Sequence, residues 1–264
     1  MPGSSDVRTP VPPSVRPQDA VQGRWARRVA AALILVSLVI TVWSWAIPAV
    51  FGLGLRDMPW WRSFFEVNHE VNLAAWWSGV LLAVAAVGFV TVGLVRRALR
   101  ADRRRALAAW LLPAGLLAVM SLDEFTQLHE RAGDLWDALP FTGENPLHAF
   151  QWLALGVPAA LAVVVTLVLA ARSLPRRTAW LTVAGISVFF LGAIVLELVP
   201  LLFGLHRGTW LYHTVTHLEE LSEMIGSSLL LIAPWGHLHL RADRARGVLD
   251  VRADPSRAVA AGRG

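Results

Sequence analysis

Two residue types are missing from this chain of 264 residues: it has no cysteine and no lysine. Without cysteine there can be no disulfides, thiolate metal sites or thiol redox relays. Without lysine all 24 basic side chains are arginine, which together with abundant Ala, Gly and Val reflects a GC-rich genome rather than a function. Charge is also scarce: 16% of residues are charged, against about 25% in an ordinary soluble domain. A sequence pI near 11.2 invites a nucleic-acid reading, but the arginines cluster beside hydrophobic runs. That placement is the positive-inside pattern of a membrane protein, and no nucleic-acid partner is expected.

What the chain has is apolar length. It is 55% hydrophobic, with a mean hydropathy of +0.52. Uncharged runs at 29–51, 73–95, 149–171 and 178–196 each approach or exceed the ~20 residues that cross a bilayer. A further run is uncharged over 106–122 and continues without a helix breaker through SLDEFTQLHERAG, and a last one, at 210–235, contains three glutamates. The expected fold is an all-α polytopic bundle of six transmembrane helices, residues 25–235. It lies between a disordered N-terminal tail, 1–24, and a flexible basic C-terminal tail, 236–264. The first run is too long for the 7–15-residue core of a cleaved signal peptide.

Six spans put both tails on one side. If that side is the cytoplasm, it holds 20 of the 24 arginines, and only Arg56, Arg62, Arg131 and Arg207 fall outside. Trp25, Trp110, Trp180 and Trp235 then mark the inner boundary, and Trp60, Trp61, Trp136, Trp152 and Trp210 the outer one, as in an aromatic belt. The expected location is the cell membrane with cytoplasmic termini. No internal repeat supports an inverted-repeat transporter.

This orientation gathers the polar residues near the outer face. Glu66, His69 and Glu70 precede the second span; Asp123, Glu124, His129 and Glu130 end the third; Glu197 is in the fifth; His213, His217, Glu219, Glu220 and Glu223 begin the sixth. His213, His217 and Glu220 stand at i, i+4 and i+7, one helical face. If the stretch before Leu73 is helical, Glu66, His69 and Glu70 share a face, and Asp123, Glu124, Gln127 and Glu130 do so on the third helix. An acidic residue at a helix centre costs roughly 2.5–3.5 kcal/mol. These groups should therefore face the bundle and be protonated, paired or bound to a cation. Histidine and carboxylate without cysteine suit zinc, iron or manganese. The expected ligands are His69, Asp123, His213, His217 and Glu220, with Glu124 and Glu223 as acid/base groups and a divalent zinc or iron ion as cofactor. Taken singly, Glu66 reads as surface charge, and Thr41, Ser44, Ser187 and Ser227 as residues bonding their own backbone.

At SLDEFTQLHE and HLEELSEMIG the chain resembles uncharacterised bacterial multi-pass membrane proteins that carry LDE…LHE and EE..EM.G motifs. It also resembles, more distantly, the alkaline ceramidases and adiponectin-type receptors, whose zinc is held by three histidines. That resemblance implies a hydrolase using His69, Asp123, His213 and His217, with Ser63 in the serine position. It departs from the pattern in span number, Ser–His spacing and the extra carboxylates of the last helix. Three functions stay open: a metal-dependent enzyme acting on a lipid-like substrate at the outer leaflet, a proton- or cation-coupled transporter, and an accessory subunit without catalysis. Oligomeric state is not legible.

Overall fold

A computed structural model describes residues 17–69, 71–98, 104–128, 131, 153–235, 238–243 and 248–253. The helices run in the order α1 (Pro17–Phe51), α2 (Trp60–Phe65), α3 (Leu73–Ala98), α4 (Arg104–Thr126), α5 (Leu153–Ala171), α6 (Arg176–Phe190), a π-helical turn (Leu191–Leu196), α7 (Glu197–Leu202) and α8 (Trp210–Trp235). Four stretches are long and apolar enough to cross a membrane: Trp25–Phe51, Leu73–Ala98, Leu107–Thr126 and Arg176–Leu202. The first part of the expected fourth span, 149–152, lies outside the described residues, and α5 is apolar but shorter. At 1.5 Å per residue, the 26 residues of α8 extend about 39 Å. Its length suffices to span, and its glutamates set its composition apart.

α8 is the hub of the bundle, packed against α1, α3, α6 and the π turn, while α4 pairs with α3 and α5 covers α4 and α6. Leu82, Phe89, Trp110, Leu117, Leu167, Ile186 and Leu230 form the main apolar core, toward the C-terminal end of α8. α6 and α8 touch backbone to backbone: a Cβ on Gly226 would lie 2.6 Å from the Phe189 nitrogen, and one on Gly185 would lie 3.0 Å from the Gly226 oxygen. Small residues at such crossings let membrane helices approach closely. On α1 the buried residues Ser37, Thr41, Ser44 and Ile47 follow helical spacing, so this helix turns a mostly polar stripe inward.

Two helices end in the same way. Pro48-Ala-Val-Phe-Gly-Leu closes α1 and Pro200-Leu-Leu-Phe-Gly-Leu closes α7. Gly52 and Gly204 take positive φ, and the N–H of the next residue reaches back to the proline carbonyl at 2.9 and 2.8 Å. This is a Schellman cap, with glycine supplying the left-handed residue. Arg56 donates from Nε to the Arg207 carbonyl at 3.0 Å, tying both turns to one end of the bundle.

The tails differ from their expected outline. α1 starts at Pro17, inside the stretch read as a tail. Within the C-terminal tail, Leu238–Asp243 and Val248–Ala253 pair as an antiparallel hairpin, with Leu240 opposite Val251 and Ala242 opposite Leu249. Period-two alternation in LHLRAD and VLDVRA suits a strand pair.

Candidate metal centre

His213 and His217 are one turn apart on α8, both buried, with ring centroids 4.1 Å apart. Hydrogen bonds to backbone carbonyls fix both tautomers. His217 donates from Nδ1 to the His213 carbonyl at 2.6 Å, and His213 donates from Nε2 to the Trp45 carbonyl at 3.3 Å. Each ring therefore keeps one nitrogen lone pair, and both lone pairs face the same carboxylate oxygen. Glu66 Oε1 is 3.9 Å from His213 Nδ1 and 3.7 Å from His217 Nε2. The three ligand atoms lie within 4.8 Å of one another, and all three residues are buried.

Glu66 is held by its neighbours in sequence. It is the C-cap of α2 and leaves the helix in extended conformation. Arg62, one turn earlier and fully buried, donates from Nη2 at 2.8 Å and from Nε at 3.1 Å to Glu66 Oε2. Its other donors reach the carbonyls of Gly54 at 2.9 Å, Leu55 at 3.3 Å and Asp57. All five guanidinium N–H groups are thus used, and Glu66 is left with Oε1 for the histidines. The chain then turns through Val71 at φ 55° into α3. Asn72 caps that helix by accepting the Ala75 N–H at 2.7 Å. Its amide donates to the Val67 carbonyl at 2.8 Å and to that of His69, which braces the turn next to Glu66.

α1 supplies the third wall. Ser44 is fully buried; its Oγ accepts the Val67 N–H at 3.1 Å and donates to His217 Nε2 at 2.9 Å. The expectation that Ser44 bonds its own backbone is therefore corrected: the helix presents this hydroxyl across the interface to α8. Trp45, besides offering its carbonyl to His213, donates from Nε1 to Thr214 Oγ1 at 3.1 Å and packs on Trp210.

Of the five expected ligands, the structure brings together His213 and His217, and joins Glu66 to them. His69 is exposed and outside this group, because α2 stops at Phe65 and the face shared by residues 66, 69 and 70 requires a helix there. Asp123 and Glu220, both half-buried, are outside it too. Glu124 and Glu223, the expected acid/base pair, meet elsewhere: Glu223 lies within electrostatic reach of Glu124, Glu197, Glu219 and Glu220. The π turn before Glu197 fits against this part of α8, where a Cβ on Gly192 would sit 2.6 Å from the Glu219 carbonyl oxygen. α4 ends at Thr126, and Gln127 takes positive φ at 53°, so the acidic face expected to run on to Glu130 stops short. Glu70, His129 and Glu130 lie outside the described residues. Arg62 and Ser44 were missed; the i, i+4 spacing of Arg62 and Glu66 was the available signal for the first.

Glu66 Oε1 and the two imidazole lone pairs gather together, with the Ser44 hydroxyl donating to His217 Nε2, and a positive ion among them would relieve their mutual repulsion. Imidazole whose other N–H is held by a backbone carbonyl is the usual state of a metal-binding histidine. The group is thus chemically suited to a divalent ion. No curated protein and no solved structure matches the chain, and the resemblance to ceramidases and adiponectin-type receptors finds no support there. A family profile does match, over residues 26–237, which includes every residue of the centre: the chain belongs to the family described as Domain of unknown function (DUF8692).

Proposed function

We propose that this is a six-span integral membrane protein with cytoplasmic termini that holds a divalent transition metal, zinc or iron, near its outer face through Glu66, His213 and His217. The observation that carries the reading is the convergence of Glu66 Oε1, His213 Nδ1 and His217 Nε2 within 4.8 Å of one another, with Glu66 Oε1 at 3.9 and 3.7 Å from the two imidazole nitrogens and both tautomers set for ligation. Ligands about 2.1 Å from one ion sit about 3.4–3.6 Å apart, so Glu66 is within a few tenths of an ångström of ligand spacing from each histidine. A bound ion would supply Lewis acidity and an activated water. Its membrane setting points to hydrolysis or oxidation of a lipid-like substrate.

Elemental analysis of the purified protein tests this beside a His213→Ala/His217→Ala variant that keeps its helical signal. Stoichiometric metal in the parent, lost in the variant, is the expected result. Equal traces in both would remove the metal reading. A second reading, proton- or cation-coupled transport, is favoured by the separate carboxylate group around Glu223. It gains ground if metal is absent.

A further inference from the structure

We propose that Ser44 is a fourth ligand of the centre, an inference that rests on the Glu66–His213–His217 assignment above. Serines and threonines in these helices regularly donate to the carbonyl four residues back, as Ser37, Thr41, Thr91, Thr126, Ser222 and Ser228 do. Ser44 gives up that bond and turns its hydroxyl across the helix interface to the lone pair of His217 that faces Glu66. Its Oγ is 2.9 Å from Nε2. Two ligands of one tetrahedral ion are about 3.4–3.6 Å apart, so the hydroxyl oxygen need draw back by only about half an ångström to reach ligand spacing from His217.

The hydrogen-bond inventory of a hydroxyl, one donor and two acceptor lone pairs, determines what ion binding does to it. An ion takes the Nε2 lone pair, so the O–H loses its acceptor there and rotates about the Cβ–Oγ bond. The Val67 N–H, 3.1 Å away, would hold one oxygen lone pair while Oγ draws back from Nε2 to admit the ion. The second lone pair is then free for the ion. The ligand set thus joins three parts of the chain: α1 through Ser44, the turn after α2 through Glu66, and α8 through both histidines. Metal would clamp α1 to the bundle.

Because the chain has no cysteine, a Ser44→Cys variant carries a single thiol, which makes a direct test possible with cobalt(II). The expected result is an intense thiolate-to-cobalt charge-transfer band in this variant, absent from the parent and from Ser44→Cys/His217→Ala. Cobalt bound by the parent but no such band in Ser44→Cys would overturn the Ser44 assignment while leaving the three-residue centre intact. No cobalt bound by the parent would overturn the centre and this inference with it. Should the cysteine variant fail to fold, Ser44→Ala decides. If Ser44 is a ligand, this variant alters the visible cobalt bands as well as weakening affinity at least about tenfold. An unchanged spectrum and affinity would refute it.

Discussion

Replacing Arg62 by methionine tests whether Glu66 is held as an ion in a dry environment. The substitution keeps most of the side-chain volume and removes five N–H donors. Three of the acceptors affected are the carbonyls of Gly54, Leu55 and Asp57. Gly54 and Asp57 are exposed, so water replaces the lost donors there at small cost. Glu66 is different: it is only 3% exposed, and Arg62 donates to its Oε2 at 2.8 and 3.1 Å. Removing one partner of a buried pair costs about 3–5 kcal/mol, which sets the expected loss. In a chain of this size that corresponds to a fall in Tm of about 6–20 °C. The double variant Arg62→Met/Glu66→Met removes the stranded charge and should recover to within about 1–2 kcal/mol of the parent. Unfolding in mixed micelles, followed by far-UV circular dichroism for the parent, both single variants and the double variant, gives the coupling energy directly. A loss below about 1 kcal/mol for Arg62→Met, or strict additivity in the cycle, would show that this pair does not order the site.

Two further substitutions test what surrounds the pair. Asn72→Ala removes a helix cap and the brace on the turn beside Glu66; it should cost about 1–2 kcal/mol in the same unfolding assay and weaken metal binding about tenfold. Gly226→Ala drives a methyl to 2.6 Å from the Phe189 nitrogen, so about 1–3 kcal/mol should be lost. By contrast Gly115→Ala, whose added carbon meets nothing within 4 Å, should be neutral or stabilise by up to about 1 kcal/mol. Equal effects of the two alanines would contradict the α6–α8 packing.

The apolar stretches were legible because length and lack of charge decide membrane crossing almost alone. The His213/His217 pair was legible because α8 is a regular helix, where i, i+4 means a shared face. Glu66 was undervalued for the opposite reason: its partners are one turn back in a six-residue helix and across the bundle. Local spacing could report only the first of these, and a helical reading of residues 66–70 promoted His69 in its place. Ser44 was misread because a hydroxyl in a span has two outlets, its own carbonyl or a neighbouring helix, and only packing selects between them. The acidic face on α4 was overextended because nothing in SLDEFTQLHE announces the left-handed turn at Gln127.

Zinc- or iron-edge X-ray absorption on the protein as purified addresses the metal centre most directly. A shell of nitrogen and oxygen at about 2.0–2.2 Å, with the multiple-scattering pattern of two imidazoles that disappears in His213→Ala/His217→Ala, is the expected result. A shell of light atoms without imidazole scattering, unchanged in that variant, would contradict the assignment.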